Sequence, residues 1–117
     1  MSKERILVVD DEAGVRSSLQ GILEDEGYRV DTDSSAEAAL ARLSGGQYDL
    51  VLLDIWLPKM DGMQALERMI DDELDMPVIM ISGLDQIDPA VRCIKMGAED
   101  YLPKPFNPIL LKARLGA

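Results

Sequence analysis

Residues 50–54 read Leu50-Val51-Leu52-Leu53-Asp54, an unbroken apolar run that stops on a carboxylate. A strand without polar alternation is covered on both faces, which is the condition of a parallel sheet held between helices. Outward from it, Ile6-Leu7-Val8-Val9 is a second such run, and Pro77-Val78-Ile79-Met80-Ile81 is a third, with its proline tolerable at the first strand position. Segments of helical period separate these runs. Val15, Leu19, Ile22 and Leu23 recur at helical spacing, and Gly27 supplies the stop.

The remaining elements repeat the rhythm. Tyr28 to Thr32 alternates in polarity and reads as a half-exposed edge strand, strand 2. Ser34-Ser35-Ala36-Glu37 resembles a capping box ahead of Ala39, Leu40 and Leu43, with Gly45-Gly46 closing that helix. The loop Pro58-Lys59-Met60-Asp61-Gly62 leads to helix 3, whose inward face is expected to be Leu66, Met69 and Ile70. Asp88 as N-cap and Pro89 at the first helical position put the start of helix 4 late and leave Leu84 to Ile87 as loop. Strand 5 spans Asp100 to Leu102, and Asn107-Pro108 opens helix 5 with Leu111 and Leu115 facing in. Five strands alternating with five helices predict an α/β, flavodoxin-like, doubly wound parallel sheet of order 2-1-3-4-5.

Composition bounds the function. At 117 residues and 47% hydrophobic, the chain (1–117) reads as one domain with one core, any output domain being absent or trimmed at Ala117. The single Cys93 excludes an internal disulfide framework and is expected to be a packed hydrophobe. No apolar run approaches the roughly 20 residues of a membrane-spanning helix. Met1-Ser2-Lys3-Glu4-Arg5 leads directly into a strand pattern, so a cytoplasmic location is expected. Twelve basic against 22 acidic residues leave a net charge of −10, which argues against direct nucleic-acid binding.

In open parallel sheets the chemistry lies just beyond the carboxyl ends of the strands. Strand 1 is followed by Asp10-Asp11-Glu12, strand 3 by Asp54, strand 4 by Ser82-Gly83 and strand 5 by Lys104-Pro105. Acids converging on one crevice repel, and a hard divalent cation with oxygen ligands relieves them; magnesium fits, with manganese as its stand-in. A carboxylate can take up a phosphoryl group where positive charge and hydrogen-bond donors surround the transferring oxygens. Lys104 supplies the charge and Ser82 a hydroxyl. With the metal held chiefly by Asp10 and Asp11, Asp54 is left as the nucleophile.

ILVVDDE, LVLLDIWLPKMDG, VIMISG and GAEDYLPKPF together resemble, in order and spacing, the successive motifs of the bacterial two-component receiver-domain family. The resemblance implies that Asp54 is the phosphoacceptor and that Asp10, Asp11 and Asp54, with the main-chain carbonyl of Trp56, bind the metal. It further implies that Ser82 and Lys104 contact the phosphoryl group, that Ser82 and Tyr101 form a switch, and that the Lys104–Pro105 peptide is cis. The implied partners are a sensor histidine kinase or phosphotransfer protein, contacting the exposed side of helix 1, and an output domain or downstream protein. The helix 4, strand 5 and helix 5 face would carry the output and a phosphorylation-dependent homodimer. LVLLDIWLPKMDG and VIMISG resemble receivers of nitrogen-type regulators, whereas GAEDYLPKPFNPILLKARLGA resembles those of cyclase-linked ones.

Blander readings stand beside these. Asp10, Asp11 and Glu12 taken alone could cap helix 1, Ser82 could be a turn residue, Lys104 a surface charge and Tyr101 ordinary half-buried packing. Asp54 has no such alternative, since no capping pattern follows it until Asp61. Trp56 and Leu84 are expected to flank the mouth of the site and hinder an attacking water, and the Gly83 to Asp88 loop is expected to be mobile before phosphorylation. The chain is read as a switch, not an enzyme. Its rivals are a phosphorylation-independent module of the same fold and an aspartyl-nucleophile phosphohydrolase, the latter weakened by Trp56 standing where such enzymes carry a second aspartate.

Overall fold

The computed structural model describes residues 4–83, 87–104 and 107–116. Its elements are β1 (Arg5–Val9), α1 (Ala13–Asp25), β2 (Arg29–Asp33), α2 (Ala36–Gly45), β3 (Leu50–Asp54), α3 (Gly62–Asp71), β4 (Val78–Gly83), α4 (Ile87–Met96), β5 (Asp100–Lys104) and α5 (Pro108–Gly116). The strands form one parallel sheet in the order β2-β1-β3-β4-β5. Successive side chains on a strand point to opposite faces, so each central strand feeds two cores. Leu7, Val9, Val51, Leu53 and Met80 pack with Ala39, Leu66, Met69 and Cys93 on one side. Ile6, Val8, Leu52, Ile79, Ile81 and Leu102 pack with Leu19, Leu23 and Leu111 on the other.

Several boundaries differ from the sequence reading. The cap of α2 is Ser35, whose hydroxyl accepts from the Ala38 N–H; this places Ala38 where a reciprocating glutamate would have to stand, so Ser34 and Glu37 form no capping box. A full capping box occurs instead at α3, between Asp61 and Gln64. Ile70 is 43% exposed because it lies one residue round the helix from Met69, on the rim of the buried face. It still covers Gly97, where an added Cβ would meet Ile70 Cδ1 at 3.3 Å. Ile87 is already helical, so Asp88 and Pro89 lie inside the first turn of α4, where a missing proline N–H costs no intrahelical bond. The expected mobile loop and Leu84 lie largely outside the described residues. Strand β5 runs on to Lys104, and β4 to Gly83, because Ser82 and Gly83 are in register with Pro103 and Lys104.

Asn107 caps α5 as expected, accepting from the Ile109 and Leu110 N–H groups. One glycine is required by close approach. A Cβ on Gly62 would lie 2.1 Å from the carbonyl oxygen of Asp54 and 2.8 Å from Ile55 Cα, and the Gly62 N–H donates to Ile55 O at 2.7 Å. The start of α3 is thus seated on the backbone at the end of β3. Gly62→Ala is expected to lose about 1–3 kcal/mol of stability through forced backbone displacement. Gly21→Ala, in the interior of α1 with nothing within 4 Å, is expected to gain about 0.5–1 kcal/mol. Urea denaturation of both variants measures the contrast.

Candidate functional site

The carboxyl ends of β1, β3, β4 and β5 gather four functional side chains. Asp10 follows β1 and is 0% exposed, Asp54 ends β3 and is 3% exposed, and Ser82 lies in β4 and is 1% exposed. Lys104 ends β5, and its ammonium lies 2.9 Å from Asp10 Oδ2, 3.2 Å from Asp54 Oδ2 and 3.5 Å from Glu12 Oε1. Toward Asp54 it donates a hydrogen bond. Toward Asp10 Oδ2 the distance is short but the direction is not that of a hydrogen bond, so this buried oxygen is ion-paired and otherwise unsatisfied.

Each acid is fixed through its other atoms. The Asp10 N–H donates to Asp33 O at 3.1 Å, Asp10 Oδ1 accepts from the Glu12 N–H at 2.9 Å, and Asp10 O accepts from Arg16 Nη1 at 2.7 Å. Asp54 Oδ1 accepts from the Trp56 N–H at 3.2 Å, and the Ile55 N–H donates to Ile81 O at 3.1 Å. Ser82 Oγ makes no hydrogen bond among the described residues although it is buried. A buried hydroxyl left in this condition is costly, and such groups mark places where a ligand or ion completes the network.

The remaining residues fall as follows. Asp11 is exposed, and one carboxylate oxygen each from Asp10, Asp11 and Glu12 lie within 4.8 Å of one another. Asp54 lies outside that trio and reaches Asp10 through the shared Lys104. Trp56 is 51% exposed beside Asp54. Tyr101 is partly buried, packed on the core that includes Met80, its partner in the β4–β5 register. Pro105 lies outside the described residues, as does any geometry of its peptide bond. Sequence reasoning left out Glu12 as a partner of Lys104, and it left out Arg16 altogether. The signal for Arg16 was available: a cation so near the N-terminus of a helix opposes the helix dipole.

The electrostatics follow from burial. Desolvation, with the nearby Asp10 carboxylate, pushes the Asp54 carboxyl up to about 6, against the opposing pull of Lys104 and the Trp56 N–H. Burial would weaken the Lys104 ammonium, but its contacts with Asp10 and Asp54 prevail and raise its pKa. The donor set suits a hard cation: among the described residues the group is made of carboxylates alone, one of them with a buried oxygen lacking a hydrogen bond, and the sequence has no histidine. Asp10, Asp11 and Asp54 could hold such an ion, and Glu12 adds a further oxygen at the rim.

Residues 6–116 match the response regulator receiver domain family. The chain is 44% identical over 104 residues to the nitrogen assimilation regulatory protein NtrX of Azorhizobium caulinodans, covering 87% of this chain and 23% of that protein. It is 39% identical over 114 residues to the alkaline phosphatase synthesis transcriptional regulatory protein PhoP of Bacillus subtilis, covering 97% and 48%. The crystal structure of the receiver domain of NtrX from Brucella abortus superimposes with a TM-score of 0.86 at 42% identity, covering 93% of this chain and 95% of that one. A putative response regulator from Chloroflexus aurantiacus gives 0.92 at 31% identity, with 97% and 95% covered. The chain spans between about a quarter and a half of the curated relatives it matches (23% to 50%).

A folded-state carboxyl raised from 3.8 to about 6 contributes stability that is full below the lower value and lost as the pH rises through the upper one. Above pH 6 the ionised Asp54 therefore works against folding. Without divalent metal, Asp54→Asn is expected to be more stable than wild type by about 1–3 kcal/mol at pH 7.5. That gain should shrink toward pH 4, as denaturant titrations at the two pH values in EDTA would report.

Proposed function

The chain belongs to the response regulator receiver domain family, and from that premise we propose that it is a phosphorylation-controlled switch whose phosphoacceptor is Asp54. The observation that carries the reading is the set of partners around this carboxylate. Asp54 is buried at the end of the central strand, with the Lys104 ammonium 3.2 Å from one of its oxygens and the unsatisfied Ser82 hydroxyl one residue beyond its register partner Ile81. A carboxylate oxygen of Asp54 attacks phosphorus, the bond from phosphorus to the donor breaks, and the donor leaves with the electron pair. Lys104 and Ser82 then face the transferred oxygens, the first as a charge and the second as a donor. Magnesium, held by Asp10, Asp11 and Asp54 with the Trp56 carbonyl, would neutralise charge building up on the phosphoryl oxygens.

The donor in this reading is a sensor histidine kinase or a phosphotransfer protein, and the receiver would serve an output domain or a separate downstream protein. Phosphorylation adds up to about two negative charges, which biases Ser82 and Tyr101 between two arrangements. The reader of that change would bind the α4, β5 and α5 face. Supporting this, Ile87, Val91 and Ile94 form an exposed apolar row along α4, and Ile109 is exposed on α5. A second copy of the chain could occupy the same face. Acting only on itself, the protein is no enzyme in the ordinary sense. Among the described residues no helix is long and apolar enough to cross a membrane.

Incubation with acetyl phosphate and magnesium tests the proposal by intact-mass measurement. Wild type should gain one phosphoryl group and Asp54→Asn none. Continuous release of phosphate would favour a hydrolase, and no gain by wild type would favour a phosphorylation-independent module. Trp56 is half exposed and its N–H contacts Asp54 Oδ1; in this reading its side chain flanks the mouth of the site, and its bulk should impede the water that hydrolyses the acyl phosphate. Trp56→Asn is expected to shorten the phosphoryl lifetime severalfold after donor removal; an unchanged lifetime would overturn this role.

A further inference from the structure

We propose that Arg16 is a positioning residue of the acidic site, holding the Asp10 backbone and with it the buried carboxylate in place among the other acids; this rests on reading Asp10 as a metal-site acid. Arg16 stands in the second turn of α1 and reaches back past the helix N-terminus, where its Nη1 donates to the carbonyl of Asp10 at 2.7 Å. Long helical side chains lean toward the N-terminus, so this reach needs no unusual geometry. The placement is otherwise unfavourable. The N-terminal end of a helix carries positive partial charge that disfavours a cation, and the acids that offset it here, Asp10, Asp11 and the N-cap Glu12, lie just before the first turn rather than in it.

The contact explains the tolerance. Asp10 follows the last residue of β1, and its carbonyl is beyond the β1 ladder as described. Its N–H is bound by Asp33 O, its Oδ1 by the Glu12 N–H and its carbonyl by Arg16. Three of its four polar atoms are thereby fixed by hydrogen bonds, and Oδ2 is fully buried and ion-paired with the Lys104 ammonium at 2.9 Å. Losing a group that orients a metal-binding side chain typically costs about 10–100-fold in metal affinity. Arg16 also adds positive charge beside Asp10, Asp11 and Glu12, and these two effects have opposite signs. Removing a cation from an acidic site should by itself tighten binding of a divalent ion, whereas releasing the Asp10 backbone should weaken it.

The sign therefore decides the matter. Trp56, the only tryptophan, has its N–H on Asp54 Oδ1 and is the intended fluorescence probe of added magnesium, with isothermal titration as an independent readout. Arg16→Met, which keeps the apolar stem but loses charge and donors, is expected to bind magnesium roughly tenfold more weakly than wild type. Arg16→Lys, retaining the charge and a donor on a shorter stem, should fall between the two, and it carries the test if the methionine variant does not fold. Equal or tighter binding by Arg16→Met, or an unchanged affinity in Arg16→Lys where only that variant folds, would overturn the inference. A lowered melting temperature with unchanged affinity would likewise overturn it, leaving Arg16 a tether between helix and strand. Absence of magnesium binding by wild type would instead remove the metal-site reading itself, and the inference with it.

Discussion

The structure turns on one cation held among carboxylates. Asp10 and Asp54 are both buried, and two such acids side by side repel strongly in a medium that screens poorly. Lys104, itself mostly withdrawn from solvent, lies within 3.2 Å of an oxygen on each. A buried charge stripped of its partner costs several kcal/mol, so the site is coherent only while strand β5 stays in register beside β4 and delivers this ammonium. The edge strand is in that sense part of the site. Lys104 and Asp54 are 50 residues apart in the chain, and the sheet order alone brings them together.

The cation does not make the site comfortable. Asp54 remains a weakened acid, Asp10 Oδ2 has an ion pair without a hydrogen bond, and Ser82 Oγ has no hydrogen bond among the described residues. Each is a local departure from the satisfied interior found elsewhere in the sheet, and such departures concentrate where a protein meets a ligand. Under the function proposed above, a divalent ion and a phosphoryl group would supply positive charge and acceptor oxygens to these atoms. The two apolar cores on either face of the sheet provide the stability against which this tension is held.

Support for the strand ends comes from the elements that follow them. The start of α3 sits against the Asp54 backbone because Gly62 has no side chain, and its capping box fixes where that helix begins. On the other side, Asp10 is tied to β2 through Asp33 and to α1 through Arg16. Asp54 is therefore braced through its backbone by α3 and faces the Lys104 ammonium delivered by β5.

What the sequence by itself determined was the part governed by local pattern. Unbroken apolar runs ending in Asp10, Asp54 and Ser82 marked buried parallel strands, and alternation in β2 marked the edge, because burial on one or two faces writes a period directly into the chain. The chemistry-bearing residues were legible for the same reason, since ligands gather beyond strand ends. Helix starts were less legible: Ser34 against Ser35, or Asp88 against Ile87, differ by a residue or so, and several polar neighbours can each cap. The inward set of α3 was also read one residue too wide at Ile70, where the helix rim meets Gly97. Only tertiary structure decided that Lys104 bridges Asp10 and Asp54 and also pairs with Glu12, that Arg16 joins the site, and that Gly62 is required by a backbone 2.1 Å from where its Cβ would be. These are contacts in space between different elements, and neither periodicity nor spacing encodes distance across a sheet.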